Sequence, residues 1–88
     1  MNGPIFGMYR GVVTNAKDPR NKKRLKARIP EVLGESESDW ALPCIQPTGQ
    51  PTDQFVMPDI GTHVWIEFEA GDLSRPVWMG IAPNFDEE

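Results

Sequence analysis

The sequence predicts an all-β fold, a single small barrel of five short strands. Three observations carry this reading. Apolar and polar residues alternate in two clear stretches, residues 23–29 and 62–69. β-branched and aromatic residues gather in short runs bounded by Gly, Pro, Asp and Asn. No stretch shows a helical period, and five short strands without helices close most economically as a small, partly open barrel.

The elements follow in chain order. Residues 1–7, with Gly3 and Pro4, show no period and read as an arm that is ordered only if something holds it. The first strand covers residues 8–15, with Val12, Val13 and Thr14 in its second half. Residues 16–22, with Asp18-Pro19 and Arg20-Asn21, make a turn. In the second strand Leu25, Ala27 and Ile29 face one way and Arg24, Lys26 and Arg28 the other, and Pro30 ends it. The acidic stretch 31–39 reads as a surface loop rather than a helix. Residues 40–46 form a short apolar strand that Pro43 confines to an edge or bulge. Residues 48–59 are a long loop around Phe55, Val56 and Met57, and a long loop in a compact domain usually has a task.

The fourth strand, 62–69, places Val64, Ile66 and Phe68 inward and His63, Trp65, Glu67 and Glu69 outward. Residues 70–74 reverse the chain. The fifth strand, 75–82, is expected to turn Val77, Met79 and Ile81 inward and Trp78 outward. Residues 8–82 are then one barrel, followed by an acidic tail at 83–88.

Composition excludes several function classes. A chain of 88 residues has room for one modest core. Cys44 is the only cysteine and His63 the only histidine, so neither a disulfide nor a Cys/His metal site can staple the fold, and association is the natural remaining source of stability. No run approaches membrane-spanning length, no signal peptide opens the chain, and a reducing cytosol is the expected folding compartment. A formal net charge of −4 argues against sequence-independent nucleic-acid binding. The charges are nevertheless segregated, bases between Lys17 and Arg28, acids at 31–39, 67–72 and 86–88, which suits a part docking between unlike neighbours.

Candidate interface residues are the outward Trp65 and Trp78, joined by Trp40, Phe55 and Met57. Burying a large aromatic contributes about 2–3 kcal/mol, so two exposed indoles call for a partner, or for cover by the loop 48–59. The row Arg24, Lys26, Arg28 repeats about every 6.6 Å and could track a phosphate backbone. Single-strand binders interleave such charges with aromatic platforms, however, and no aromatic lies between Tyr9 and Trp40. Catalysis by His63 with Cys44 is disfavoured by the apolar setting of the thiol, and Glu67 with Glu69 share one strand face rather than two walls of a cleft. No catalytic residue, metal or cofactor is therefore expected.

Four segments in order carry a resemblance. Gly11-Val12-Val13 leads to an Asp18-Pro19 turn and then to the basic alternating strand Arg24–Ile29; Asp39-Trp40-Ala41-Leu42-Pro43-Cys44 follows; the hairpin from Pro58 to Gly80 closes the set. Together they resemble the OB-type domain of the central spike and hub of contractile phage-tail baseplates, including baseplate assembly protein V, over about residues 6–82. The resemblance implies a five-stranded Greek-key OB barrel, a homotrimer, and a structural role joining a hub protein to a spike or needle protein. It places the chain in the tail baseplate of a virion or related injection machine, assembled in the host cytoplasm. The family's longer members carry a β-helix or lysozyme after the barrel, and neither pattern follows here, so needle and hydrolase are expected on other polypeptides or not at all. Two alternatives from other classes are a single-stranded nucleic-acid-binding module using Arg24, Lys26 and Arg28, and a polysaccharide-targeting module for a separate hydrolase.

Overall fold

A computed structural model describes residues 4–45 and 56–83. It contains β1 (Tyr9–Asn15), β2 (Lys26–Arg28), a single helical turn α1 (Pro30–Leu33), β3 (Leu42–Pro43), β4 (His63–Phe68) and β5 (Pro76–Ile81). The strands form one curled sheet in the order β2-β1-β4-β5-β3. Every neighbouring pair is antiparallel except β3 with β5, which is parallel. The two ends of the sheet also meet. Leu25 and Ala41 exchange backbone hydrogen bonds of 3.2 and 2.7 Å, and the Ser38 N–H donates to the Ala27 carbonyl at 2.8 Å. Curling thus brings β2 and the approach to β3 together, and the chain adopts the all-β, five-stranded barrel expected from the alternation, of the OB type that the resemblance implies.

The core follows the predicted alternation through β4. Val13, Leu25, Ala27, Ile29, Ala41, Val64, Ile66 and Phe68 are buried together. Gly11 also faces inward, and a Cβ there would lie 3.1 Å from Ile66, 3.2 Å from Ala27 and 3.3 Å from Ile29. Those three side chains therefore meet because β1 leaves them the space. Ser38 is the buried polar residue beside this core; its Oγ accepts from the Ala27 N–H at 3.1 Å and donates to the Asp39 carbonyl at 2.8 Å. The seam between β2 and the approach to β3 is thereby satisfied rather than left as a costly buried gap.

Three expectations need correction. In β5 the inward residues are Pro76 and Trp78, whereas Met79 and Ile81 are exposed. The register explains Trp78 and Met79: Phe68 pairs with Pro76 and Ile66 with Trp78, and the next pair, Trp65 with Gly80, skips Met79 as a bulge; Ile81, beyond the bulge, is exposed although its partner Val64 is buried. The length of the reversal sets the parity of β5, and the parity that buries an indole excludes the more weakly apolar set. Trp78 completes its burial by donating its Nε1–H to the Lys23 carbonyl at 3.1 Å. Within stretch 31–39, residues 30–33 form α1 instead of loop, because Pro30 suits a first helical position and Gly34, at φ 62°, closes the turn. β3 is shorter than expected, although Pro43 does sit on an end strand of the sheet.

The barrel has two distinguishable ends. Tyr9 opens β1 opposite Ile66, so the start of β1 lies beside the β4–β5 reversal. The described part of the arm is held there: Ile5 N–H donates to the Gly71 carbonyl at 2.9 Å and packs against the core, and Tyr9 Oη donates to the Phe6 carbonyl at 2.8 Å. Gly71, at φ 73°, is buried under it, and a Cβ there would sit 2.8 Å from Pro4. At the opposite end lie the β1–β2 loop and the entry to β4, tied together by hydrogen bonds between Val13 and Gly61 and between Val13 and Thr62, each 2.9 Å.

Candidate interface surfaces

The residues singled out from sequence fall into different environments. Trp78 is buried within the protomer and is withdrawn from any partner surface. Trp65 stays on the outer face of β4, half-buried, with the Arg10 guanidinium 4.8 Å from its ring centroid. Arg10 is itself anchored by a 2.7 Å hydrogen bond from Nη1 to the Pro83 carbonyl, so the cation covers the indole in a defined pose. Trp40 is half-buried with Arg24 at 5.5 Å and Lys26 at 5.2 Å from its ring. Met57 is half-buried against the core. Phe55, and most of the loop 48–59 expected to cover the indoles, lie outside the described residues.

The basic row is largely engaged within the chain. Arg24 makes a two-pronged contact with Asp18, Nε to Oδ2 and Nη2 to Oδ1, both at 2.8 Å. Asp18 also accepts from the backbone N–H groups of Arg20 and Lys22 at 2.9 Å and of Arg24 at 3.4 Å. The Arg24 guanidinium, with those N–H donors, holds the Asp18 carboxyl well below the usual carboxylate range against the opposing effect of desolvation, and Asp18 in turn raises Arg24. Lys26 lies 4.0 Å from Glu37, which also accepts from Thr14 Oγ1 at 2.5 Å. Arg28, bridged through its backbone to Glu37, is exposed. Barrel closure brings Trp40 under two of these cations, a placement that residue spacing alone does not show. Sequence reading took Asp18-Pro19 only as a turn; the same carboxylate also occupies the first base of the row.

The groups considered for catalysis are not brought together. His63 is on β4, paired with Val12, and its buried Nδ1 has no hydrogen-bond partner. Cys44 follows β3, two strands away on the far side of β5, and is exposed. Glu67 and Glu69 are exposed where β4 ends. Among the described residues no three His, Cys, Asp or Glu side chains converge on a common point, and no helix is long and apolar enough to cross a membrane. What sequence reading did not foresee is a set of exposed apolar side chains: Phe6, Met8, Leu42, Ile45, Val56, Ile60, Met79 and Ile81. Met79 belongs to it because the parity of β5 up to the bulge is opposite to the one expected.

Comparison with curated proteins yielded no match. A family model described as the Type VI secretion system/phage-baseplate injector OB domain matches residues 9–82, from the first residue of β1 to the residue after β5. The match spans the whole barrel, and the chain therefore belongs to the Type VI secretion system/phage-baseplate injector OB-domain family.

Proposed function

We propose that this chain is a non-catalytic structural barrel of a contractile tail baseplate or related injector, which forms a homotrimer and joins a hub protein to a spike or needle protein. The observation that carries the reading is the family match, whose limits coincide with the barrel itself. Its physical support is the architecture. A curled sheet with joined ends has few free strand edges and resists shear, while exposed apolar side chains at several points of its surface give association something to bury. Among the described residues no acid is hydrogen-bonded to His63 Nδ1, which supports the non-catalytic reading. The pairing of Arg24 with Asp18, and the nearness of Glu37 to Lys26, weigh against the nucleic-acid alternative, because cations already matched by acids release few counterions on binding phosphate.

Light scattering across a concentration series, at low and at moderate salt, tests the assembly. A mass three times that of the chain that persists on dilution is the expected result. A monomer at every concentration, with and without purified hub protein, would remove the trimer. Trp65→Ala is then expected to weaken the trimer if the outer face of β4 is part of the contact.

A further inference from the structure

The two ends of the barrel differ in charge. Beside the β4–β5 reversal stand the exposed Glu67, Glu69 and Asp72, with Arg75 3.6 Å from Asp72. Phe6 projects among them, 68 % exposed, with its ring against Gly71, and Met8 is exposed nearby. At the opposite end the β1–β2 loop presents exposed Lys17, Arg20 and Lys22 and the half-buried Lys23. The acid of that loop, Asp18, is consumed by Arg24; Asp59 lines the groove at this end, and Glu37, 4.0 Å from Lys26, stands beside the end of β1. Between this loop and the entry to β4 runs an open groove of ≈ 470 Å³, lined by Ala16, Lys17, Met57, Pro58, Asp59 and Ile60.

We infer that the basic end, with its groove, docks the acidic end of a second copy of this chain, so that barrels stack end to end with Phe6 seated among Met57, Pro58 and Ile60 and Lys17 and Lys22 facing Glu67 and Glu69. The argument is complementarity between two surfaces of the same molecule: an acidic end with an apolar knob and a basic end with an apolar hollow. Opposite charge steers and orients the encounter, and burial of the knob supplies the contact. The contact is heterologous, using different patches on the two copies, and a ring of parallel barrels presents the same patch from every protomer, so stacking and trimer formation are compatible. In the assembly this deepens, and rests for its meaning on, the axial role proposed above.

Sedimentation velocity at about 0.01 M and about 1 M salt tests it, because the screening length falls from about 30 Å to about 3 Å between the two. At high salt the mass is that of the basic unit, monomer or trimer, and reports the lateral assembly alone. At low salt the mass is expected to grow with concentration in multiples of that unit. Lys17→Glu with Lys22→Glu reverses one end, and Glu67→Lys with Glu69→Lys reverses the other. Each double variant is expected to weaken growth by about tenfold or more by placing like charges in contact. Mixing the two variants is expected to restore it, because each then meets an end of opposite sign, a rescue that misfolding could not produce. Phe6→Ala should weaken stacking without altering the high-salt unit. Absence of growth at low salt, or growth that neither reversal affects, would overturn the inference whatever the unit at high salt, so its failure is distinguishable from failure of the trimer.

Discussion

At the scale of single residues, Asp18 does the most for the local structure. Its two oxygens take the Arg24 guanidinium and three backbone N–H groups, which shape the loop between β1 and β2. A carboxyl whose folded pKa is depressed contributes stability that is present above its unfolded pKa of about 3.9 and is lost as pH falls through the folded value. The Asp18 contribution is therefore full at neutral pH and disappears only in strong acid. Asp18→Asn is expected to lower Tm at pH 7 and to flatten the dependence of Tm on pH below about pH 4; thermal melts between neutral pH and strong acid check both, and an unchanged acid limb would contradict the assignment. Asp72, lowered chiefly by its hydrogen bonds from Ser74, lies in an exposed turn and should matter less. Gly11→Ala forces a methyl within 3.1–3.3 Å of three core side chains and should cost about 1–3 kcal/mol by denaturant titration. The need for Gly11 was not legible in the sequence, because it follows from the register at which β2 and β4 flank β1 and from the curl of the sheet.

At the scale of elements, the β4–β5 hairpin separates what pattern can and cannot tell. β4 was legible because its inward set, Val64, Ile66 and Phe68, stands against a clearly polar outward set. β5 is apolar at both parities, with Pro76 and Trp78 on one and Val77, Met79 and Ile81 on the other, so alternation could not choose. The reversal and the Met79 bulge chose, by pairing Ile66 with Trp78. Trp78→Ala should then cost about 3–5 kcal/mol, enough to unfold a small domain, whereas Met79→Ser should stay within about 0.5 kcal/mol. Urea titrations of the two variants decide between the parities, and the reverse ranking would restore the opposite face assignment. The seam between β2 and β3 makes a similar point: Ser38→Ala strands the Ala27 N–H in the interior and should cost about 1–3 kcal/mol, although Ser38 looks like an ordinary loop serine in sequence.

At the scale of the whole molecule, among the described residues, the exposed charges beside the β4–β5 reversal are mostly acidic, those of the β1–β2 loop mostly basic, and the row on β2 mostly paired. Little tendency to bind single-stranded nucleic acid is expected, with Kd for an oligothymidine weaker than about 10⁻⁴ M at physiological salt. Fluorescence anisotropy over a salt series checks this, and a tight affinity with a steep salt slope would favour the nucleic-acid alternative. The interface candidates are redistributed at this scale too. Trp78 goes to the core, while Trp40 and Trp65 lie under cations of their own chain, and the apolar surface left open is made of smaller residues at the barrel ends and along β3 and β5.

The sequence by itself determined the all-β class, the approximate strand limits, the inward faces of β2 and β4, and the family to which these segments belong. Those properties are local: they depend on alternation, on β-branched residues and on turn residues within a few positions of one another. Only the tertiary structure decided the parity of β5, the joining of β2 to the approach to β3, the two cations over Trp40 and the separation of acidic and basic ends. Each of these depends on register between strands distant in sequence, and a change of one residue in a connecting loop moves a whole side-chain set from one face to the other without altering the pattern from which the strand is read.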